Sequence, residues 1–251
     1  MTIDAHQNIH IPALRRLWKQ AFGDEDAFLD SFFAMGYAPE RCRQLTVDGH
    51  LAAALYWFDC EWAGGRLAYL YAVATDAAFR GRGLCRALME DTHRQLKELG
   101  YDGAVLVPGS ESLFRLYEKM GYRTCSTIRE FSCTAAHTPA KLRRISAEAY
   151  ALLRRQLLPV GSVVQEGKTL AFLQTYAAFY AGENLILAAS REDDKLIVSE
   201  LLGESQSAAG IVSALGCTQG RFRTPGKDKP FSMYHPLSDR PAPSYFGLAL
   251  D

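Results

Sequence analysis

The sequence predicts an α/β (α+β) fold with a mixed sheet and helices on both of its faces. The first observation is a pair of hairpin turns, Asp48-Gly49 and Ala63-Gly64-Gly65, which separate apolar runs and predict consecutive antiparallel strands. The second is the order of patterns over residues 69–107, which predicts a strand, a helix and then a parallel strand. Antiparallel and parallel neighbours in one sheet make that sheet mixed.

Two amphipathic helices are predicted ahead of these strands. The first runs from Pro12 to Phe22 and repeats its apolar side chains at helical spacing. Gly23-Asp24 interrupts that pattern and can cap the second helix, whose apolar face holds Phe28, Leu29, Phe32 and Phe33. Because apolar faces of this kind usually pack in a core, we interpret both helices as core elements.

Antiparallel strands are predicted next, over Arg43–Val47, Leu51–Cys60 and Arg66–Thr75. Some polar and aromatic side chains of these strands can face a bound molecule, but alternation alone does not say which face is solvated. These side chains are Tyr56, Asp59, Glu61, Tyr69 and Tyr71.

The segment from Tyr69 to Leu99 predicts a strand, a glycine-rich turn and a helix, in that order. The turn is Arg80-Gly81-Arg82-Gly83-Leu84-Cys85, and helical spacing begins at Leu84. The first turn of a helix leaves backbone N–H groups unpaired, and its dipole favours negative charge. Glycine permits close approach of a bulky anion, and Arg80, Arg82 and Arg86 add positive charge. The segment is therefore typical of a phosphate or pyrophosphate site.

Two common phosphate motifs do not fit this turn. A dinucleotide-binding turn needs a glycine at its sixth place, where this chain has Arg86. A P-loop needs Gly-Lys-Ser/Thr, which is absent here. The pattern that remains is Arg-x-x-Gly-x-small, formed by Arg80, Gly83 and Cys85.

A second strand–helix pair follows the phosphate turn. Gly103–Val107 is a short apolar run bounded by Gly100 and Pro108-Gly109, which predicts a strand. A helix begins at Ser110 or Glu111 and is ended by Gly121, and its last part belongs to the segment Leu116-Tyr117-Glu118-Lys119-Met120-Gly121-Tyr122. Thr124–Cys133 is predicted to close this part of the chain as a strand or hairpin.

These motifs carry a resemblance to a known family. Arg80 to Cys85 resembles the acyl-CoA pyrophosphate loop of the GNAT acyltransferase superfamily, and Val73-Ala74-Thr75 resembles its splayed strand end, which pairs with the pantetheine arm. Leu116 to Tyr122 is similar to its Leu-Tyr-x-Lys-x-Gly-Phe signature, whose tyrosine lies near the sulfur of CoA. The three motifs occur in family order, and the resemblance covers residues 5–133.

The resemblance implies a set of site residues. Tyr117 matches the general acid, whose phenol with a pKa near 10 can stay protonated at neutral pH. A backbone N–H at Val73 or Ala74 would serve the thioester carbonyl. The residues expected to bind the cosubstrate are Val73, Ala74, Thr75, Arg80, Gly81, Arg82, Gly83, Leu84, Cys85 and Ser110.

Two positions depart from the family pattern, and one role stays open. Cys85 stands where Gly or Ala is usual, and Ser110 stands where Asn is frequent. Both replacements keep a small side chain or a hydroxyl that can bind pantetheine. The general base is not identified, and the candidates are Asp59, Glu61, Glu111 and Asp251.

The second half of the chain predicts another ordered domain. Residues 134–140 are small and polar, so we predict a linker between a domain at 1–133 and one at 141–251. Helices are predicted over 147–157, 170–180 and 207–215, and strands over 184–190, 195–202, 221–224, 231–237 and 244–250. This order resembles that of the first domain, but residues 203–206 contain no arginine and no second glycine. We therefore expect a truncated GNAT-like domain that does not bind the cofactor.

Composition excludes several other classes. The 251-residue chain has 28 basic and 28 acidic residues, so its formal net charge of zero argues against binding of nucleic acid or of a membrane surface. No apolar run is long enough to span a bilayer, and the N-terminus lacks a signal-peptide pattern. The six scattered cysteines form no Cys-x-x-Cys pair, which indicates reduced thiols in the cytoplasm and no metal site.

The leading functional hypothesis is an N-acetyltransferase. It would transfer an acetyl group from acetyl-CoA, its cosubstrate, to a primary amine of a small molecule or a protein. The alternative is a non-catalytic acyl-CoA-binding or sensor module, and a third hypothesis makes the second domain the functional surface of an assembly. The acceptor amine stays open, and the aromatic helix faces leave room for a homodimer.

Overall fold

The chain forms two units in a computed structural model that describes residues 2–4 and 10–250. The first unit comprises Met1–Arg123 and Tyr234–Pro241, and the second comprises Thr124–Met233 and Ala242–Asp251. The division falls at residue 123 and not at the expected linker 134–140. The reason is that the strand after residue 123 pairs within the second unit.

The first unit is built on five strands in sequence order. Its elements are β1 (Thr2–Asp4), α1 (Ile11–Phe22), α2 (Asp26–Ser31), β2 (Cys42–Val47), β3 (His50–Trp62), β4 (Gly65–Thr75), α3 (Leu84–Glu98), β5 (Gly103–Leu106) and α4 (Glu111–Glu118). The pairs β1–β2, β2–β3 and β3–β4 are antiparallel, whereas β4–β5 is parallel. The predicted mixed sheet is therefore confirmed.

Both predicted hairpin turns have left-handed backbone geometry. Asp48 and Gly49 have φ of 50° and 79°, and Ala63 and Gly64 have φ of 47° and 72°. Two-residue turns with positive φ at both central positions match the twist of the flanking strands. The turns therefore fix the register of β2 on β3 and of β3 on β4.

Helices α1 and α3 cover opposite faces of this sheet. Arg43 of β2 contacts Asp91 and Gln95 of α3, whereas the next residue, Gln44, lines a cavity with Leu17 of α1. Successive strand residues point to opposite faces, so the two helices lie on different sides.

An aromatic core joins α1 and α2 to the sheet. The Trp18 ring lies 4.5 Å from Phe32, 5.3 Å from Tyr56 and 5.6 Å from Tyr71, and its Nε1 donates to Asp24 at 2.7 Å. Trp18, Phe32 and Tyr56 are all buried. The interpretation of the two helices as core elements is confirmed. Beyond Ser31 the chain continues as a π-helical turn over Phe32–Gly36.

The second unit contains seven strands and three α-helices among the described residues. Its elements are β6 (Arg123–Thr134), β7 (Arg143–Ile145), α5 (Ala147–Leu157), α6 (Lys168–Leu173), β8 (Ala178–Ala181), β9 (Leu185–Glu192), β10 (Lys195–Gly203), α7 (Ala208–Ala214), β11 (Gln219–Pro225) and β12 (Lys229–Pro236), whose last residues belong to the first unit. The pairs β7–β8, β8–β9 and β9–β10 are antiparallel, and β10–β11 is parallel. The same succession of pairings occurs in the first unit, and the proposed GNAT-like origin of the second unit stays a prediction.

Three expectations for the second half need correction. The helix expected over 170–180 ends at Leu173, and Ala178–Ala181 instead forms β8, because pairing with β9 overrides the local helical pattern. Residues 244–250 were expected to form a strand. Their described pairing is one isolated bridge, between Ser162 and Tyr245. Residues 134–140 are not a free linker, because Ala136 and Ala140 donate backbone hydrogen bonds to α7 at Ala209 and Gly210.

A buried ion pair lies in the core of the second unit. Arg154 Nε donates to Glu200 at 2.6 Å, and Arg154 and Glu200 are 1% and 0% exposed. Arg154 Nη2 donates to the other oxygen of Glu200 at 3.0 Å, and the hydroxyls of Tyr150 and Tyr245 donate to the same carboxylate at 2.9 and 3.2 Å. Each carboxylate oxygen of Glu200 therefore accepts two hydrogen bonds, which offsets the cost of burying its charge.

Among the described residues, no helix has both the length and the apolar character needed to cross a bilayer.

Candidate active site

Strand β4 contains an extra residue near its end. Ala54 lies opposite Ala74, and Tyr56 lies opposite Tyr71, so β4 has one residue more than β3 over this stretch. Ala72 falls within this β-bulge and has a φ of 49°, which is uncommon for a residue with a side chain. Such strained positions concentrate at functional sites.

The ladder between β4 and β5 stops before the bulge. Its residue pairs run from Leu67 with Gly103 to Tyr69 with Val105, whereas β4 itself continues to Thr75. The two parallel strands thus separate just before Val73, Ala74 and Thr75. These are the residues expected to pair with pantetheine, and their edge on the β5 side is not joined to β5.

The turn after β4 ends at the N-terminus of α3. Asp76 accepts from the N–H of Ala78 at 2.8 Å and caps a short 3₁₀ turn over Ala77–Phe79. Gly81 and Gly83 then have φ of 75°, and Gly83 is the N-cap of α3. Glycine adopts this geometry without a steric cost.

The N–H groups around the start of α3 form a cluster of unpaired donors. In the described chain, the N–H groups from Gly81 to Arg86 donate to no protein acceptor, and the first bond of the helix is Ala87 N–H to Gly83 O. The first turn of α3 contains no acidic residue. An anion placed there would meet both the donors and the positive end of the dipole.

The two arginines of this turn and Arg86, the next residue after it, contact different groups. Arg80 Nε donates to the carbonyl of Thr75 at 3.1 Å, and Arg82 donates to the carbonyl of Ala78 at 3.3 Å. Arg82 also lies over the ring of Phe79, with its guanidinium carbon 5.1 Å from the ring centroid. Arg86 alone approaches a carboxylate, that of Glu90 at 3.9 Å. Arg80 and Arg82 therefore have no carboxylate partner among the described residues.

Tyr117 lies on α4 and is 6% exposed. Burial raises the pKa of its phenol well above the usual value of 10, and the nearby Cys85 thiol raises that pKa further. The phenol therefore stays protonated across the neutral range. Tyr117 is therefore near enough to Cys85, the last residue of the turn, for the thiol to affect the phenol electrostatically.

Comparison with known proteins decides the family. Residues 2–125 match the model of the acetyltransferase (GNAT) domain. This part of the chain is a GNAT domain. A search of curated proteins found no match to the chain.

Solved structures resemble the chain over most of its length. A GCN5-related N-acetyltransferase from Anabaena variabilis is 16% identical with a TM-score of 0.72, and the match covers 94% of this chain and 73% of that one. One from Kribbella flavida is 18% identical with a TM-score of 0.68, covering 93% and 70%. A putative acetyltransferase from Pyrococcus horikoshii is 14% identical with a TM-score of 0.59, covering 93% and 92%. At these low sequence identities, the structural likeness shows that this chain shares its fold with these proteins.

The GNAT domain holds Tyr117 against Tyr122, the last residue of the signature motif, which was not among the expected site residues. The rings of Tyr117 and Tyr122 lie 5.7 Å apart edge to face, and the N–H of Tyr122 donates to the carbonyl of Tyr117. The Tyr122 hydroxyl lies 2.7 Å from Nε2 of His93, whose ring stacks on His235 at 4.0 Å. One signal was present in the sequence, because His93 interrupts the apolar face of the helix that begins at Leu84.

Gly121 of the signature motif has a steric role in this arrangement. Its φ is 86°, and a Cβ there would lie 3.2 Å from the ring of His235. Both the backbone conformation and the neighbouring imidazole therefore favour glycine at this position.

Ser110 caps a helix in the GNAT domain. Its Oγ accepts from the N–H of Leu113 at 3.4 Å and lies 2.9 Å from Oγ of Ser112. The side chain is exposed at the start of α4, so its hydroxyl is also open to solvent. Its expected contact with pantetheine stays a prediction.

The described candidate bases are not gathered at the bulge of the GNAT domain. Asp59 accepts from both Arg41 and Tyr101, and it pairs with Ala68, four residues before Ala72, which is about 13 Å along a strand.

The other candidates differ in their surroundings. Glu61 lies two residues beyond Asp59, opposite Arg66 and so farther from the bulge. Glu111 is 87% exposed and accepts from Arg115 at 2.6 Å. Asp251 lies outside the described residues.

A cavity of about 570 Å³ lies beside the segment that leads into the turn. Asp76 and Phe79 line it from that segment. Its other lining residues are His10, Ala13, Arg16, Leu17, Gln20, Gln44, Thr46, Gly49, His50 and Leu51. Neither Tyr117 nor the turn from Arg80 to Cys85 is among them, so the cavity does not mark the expected thioester position. Within the described part of the chain, no group of three or more His, Cys, Asp or Glu residues is arranged to hold a metal ion.

Proposed function

We propose that the GNAT domain transfers an acetyl group from acetyl-CoA to a primary amine of a small molecule or a protein. The observation that carries this proposal is the separation of β4 from β5, which is followed in the chain by the unpaired donors of α3. The buried phenol of Tyr117 supports it, because Cys85 beside those donors affects its pKa. The separated edge of β4 would serve the pantetheine arm, the donors of α3 the pyrophosphate, and the phenol of Tyr117 the thioester.

Binding of the cosubstrate would rest on the backbone. The pyrophosphate would accept from the N–H groups between Gly81 and Arg86, and Arg80 and Arg82 would supply positive charge. The pantetheine amides would pair with the edge of β4 at Val73 to Thr75. Leu84, Cys85 and the Ser110 hydroxyl would complete the contacts.

In the chemical step, the neutral amine attacks the carbonyl carbon of the thioester and the C–S bond breaks. A backbone N–H at Val73 or Ala74 donates to the carbonyl oxygen, on which negative charge develops. The raised pKa of Tyr117 keeps its phenol protonated at neutral pH, so the phenol can donate to the leaving thiolate and then regain a proton from water. The proton lost from the amine passes to water, because the candidate base Asp59 lies opposite Ala68, away from the bulge, and is bound by Arg41 and Tyr101.

A non-catalytic acyl-CoA-binding or sensor module is the second candidate. The observation in its favour is that Asp59, a candidate base, is bound by Arg41 and Tyr101 and lies opposite Ala68, away from the bulge. A sensor would bind acetyl-CoA through the same turn and release no free CoA.

One experiment separates the two candidates. Purified full chain is given acetyl-CoA and a panel of amines and peptides, and free thiol is measured. We expect turnover with at least one acceptor, and Tyr117→Phe should lower kcat by about 10²-fold while the Kd for CoA changes less than about twofold. Tyr180→Phe is the matched control and should behave as wild type. Binding of acetyl-CoA with no thiol release across the panel would favour the sensor.

We further propose that the second unit binds no CoA. Gly203, with a φ of 94°, ends β10 just before the connection to α7. A Cβ there would collide with the backbone of Asn184, so close packing accounts for this glycine without a ligand. Helix α7 has only seven residues. Calorimetry should therefore find one CoA per chain, and a second site would contradict this proposal.

A further inference from the structure

The Tyr122 hydroxyl has a single described partner. Tyr122 is 1% exposed, and its oxygen lies 2.7 Å from Nε2 of His93. A buried hydroxyl that loses its partner is left desolvated without compensation, so this contact is a strong constraint on both side chains. If His93 Nε2 were the donor, the Tyr122 proton would have no described acceptor. The geometry therefore makes Tyr122 the donor and Nε2 the acceptor.

His93 is held in the form that this hydrogen bond needs. Its ring stacks on His235 at 4.0 Å with an interplanar angle of 8°, and only 8% of the residue is exposed. Burial and the neighbouring His235 lower the pKa of His93 to about 3. The imidazole is therefore neutral at physiological pH, with its proton on Nδ1.

Tyr117 depends on this pair for its orientation. Its hydroxyl has no hydrogen-bond partner among the described residues, so packing alone orients its ring. The Tyr122 ring packs edge to face on the Tyr117 ring, with their centroids 5.7 Å apart, and the backbone N–H of Tyr122 donates a hydrogen bond to the Tyr117 carbonyl at 3.1 Å. A change in the position of Tyr122 would therefore move the phenol of Tyr117 directly.

We propose that His93 is a positioning residue for acyl transfer, which holds Tyr122 and through it fixes the phenol of Tyr117 toward the leaving sulfur. This inference rests on the proposed function. His93 itself touches no reacting atom. It lies on α3, the helix whose N-terminus would bind the pyrophosphate, so one helix would orient both the cosubstrate and the proton donor.

The test measures kcat and KM for acetyl-CoA in variants of the full chain. His93→Leu removes the acceptor and should lower kcat about tenfold, with KM changed less than about twofold, because the turn is intact. His93→Gln keeps an acceptor oxygen near Nε2 and should recover kcat to within about threefold of wild type. Circular dichroism melting checks that each variant is folded.

Two double-mutant cycles distinguish positioning from general damage. In the Tyr117→Phe background, His93→Leu should cause no further loss of kcat, because the oriented phenol is already gone. In the Tyr122→Phe background it should also add little, because the held hydroxyl is absent. An equal loss in all three backgrounds would overturn the inference. If His93→Leu does not fold, the cycle of Tyr122→Phe with Tyr117→Phe decides the question. Tyr122→Phe should then lower kcat only while the Tyr117 hydroxyl is present, and an equal loss in both backgrounds would overturn the inference.

The outcomes also separate this inference from the proposed function. No thiol release by wild type with any amine would overturn both. Turnover that Tyr117→Phe lowers and His93→Leu leaves unchanged would overturn the inference alone.

Discussion

Tyr69 and Val105 form the last residue pair of the parallel ladder between β4 and β5. Three residues beyond Tyr69, Ala72 adopts a φ of 49°, and the bulge at that point turns the end of β4 out of the regular ladder. The gap that follows is the feature around which the remaining proposed site is arranged.

Removing the charge of Arg82 should weaken cosubstrate binding more than removing that of Arg86. Arg82 is held by a carbonyl and the ring of Phe79, whereas Arg86 is near Glu90. We expect Arg82→Ala to raise the Kd for acetyl-CoA about fivefold and to reduce its salt dependence, since exposed charge contacts are worth about 1 kcal/mol. Calorimetry at two salt concentrations measures this. Equal effects of Arg82→Ala and Arg86→Ala would contradict the assignment.

The neutral state of His93 should make the chain sensitive to acid. Its pKa in the folded chain is about 3, below the ordinary value of 6.5, so the unfolded state binds the proton first as pH falls. The free energy of unfolding should therefore be unaffected by this group above pH 7. It should fall with a slope of up to about 1.4 kcal/mol per pH unit between pH 6 and pH 4.

Urea unfolding at several pH values measures that slope. His93→Gln should reduce the slope, because Gln does not titrate, while His235 and Tyr122 still face the site in both proteins. An unchanged slope in His93→Gln would mean that other groups cause the acid sensitivity.

Breaking the ion pair of Arg154 with Glu200 should strongly lower the free energy of unfolding. Glu200→Gln leaves a buried guanidinium without its counter-charge, so we expect a loss of about 3–5 kcal/mol in the free energy of unfolding. The matched control is Glu166→Gln, which breaks the half-exposed pair with Arg155 and should cost less than about 1 kcal/mol. Similar losses in the two variants, measured by urea unfolding, would contradict the role of burial.

The sequence pattern predicted the parts of the fold that depend on local chemistry. The Asp48-Gly49 turn and the helix from Leu84 follow from positive φ and apolar periodicity, and both occur where expected. The pairing of Ala178–Ala181 with β9 depends on residues distant in sequence, so periodicity wrongly extended a helix through it. The same dependence on residues distant in sequence applies to the candidate site. A motif singled out Tyr117, but the contact of its neighbour Tyr122 with His93 could not be predicted from local sequence.

The central claim is that the turn around Gly81 and Gly83 binds the pyrophosphate of acetyl-CoA. Gly83→Val tests it most directly, because a branched side chain there strains a φ of 75° and obstructs the donor cluster at the start of α3. Gly23→Val is the matched control, since Gly23 has a φ of 79° and equally open surroundings at the end of α1. We predict that calorimetry with acetyl-CoA shows one site in wild type and in Gly23→Val, and an affinity at least about 10²-fold weaker in Gly83→Val. Unchanged affinity in a folded Gly83→Val protein would contradict the account.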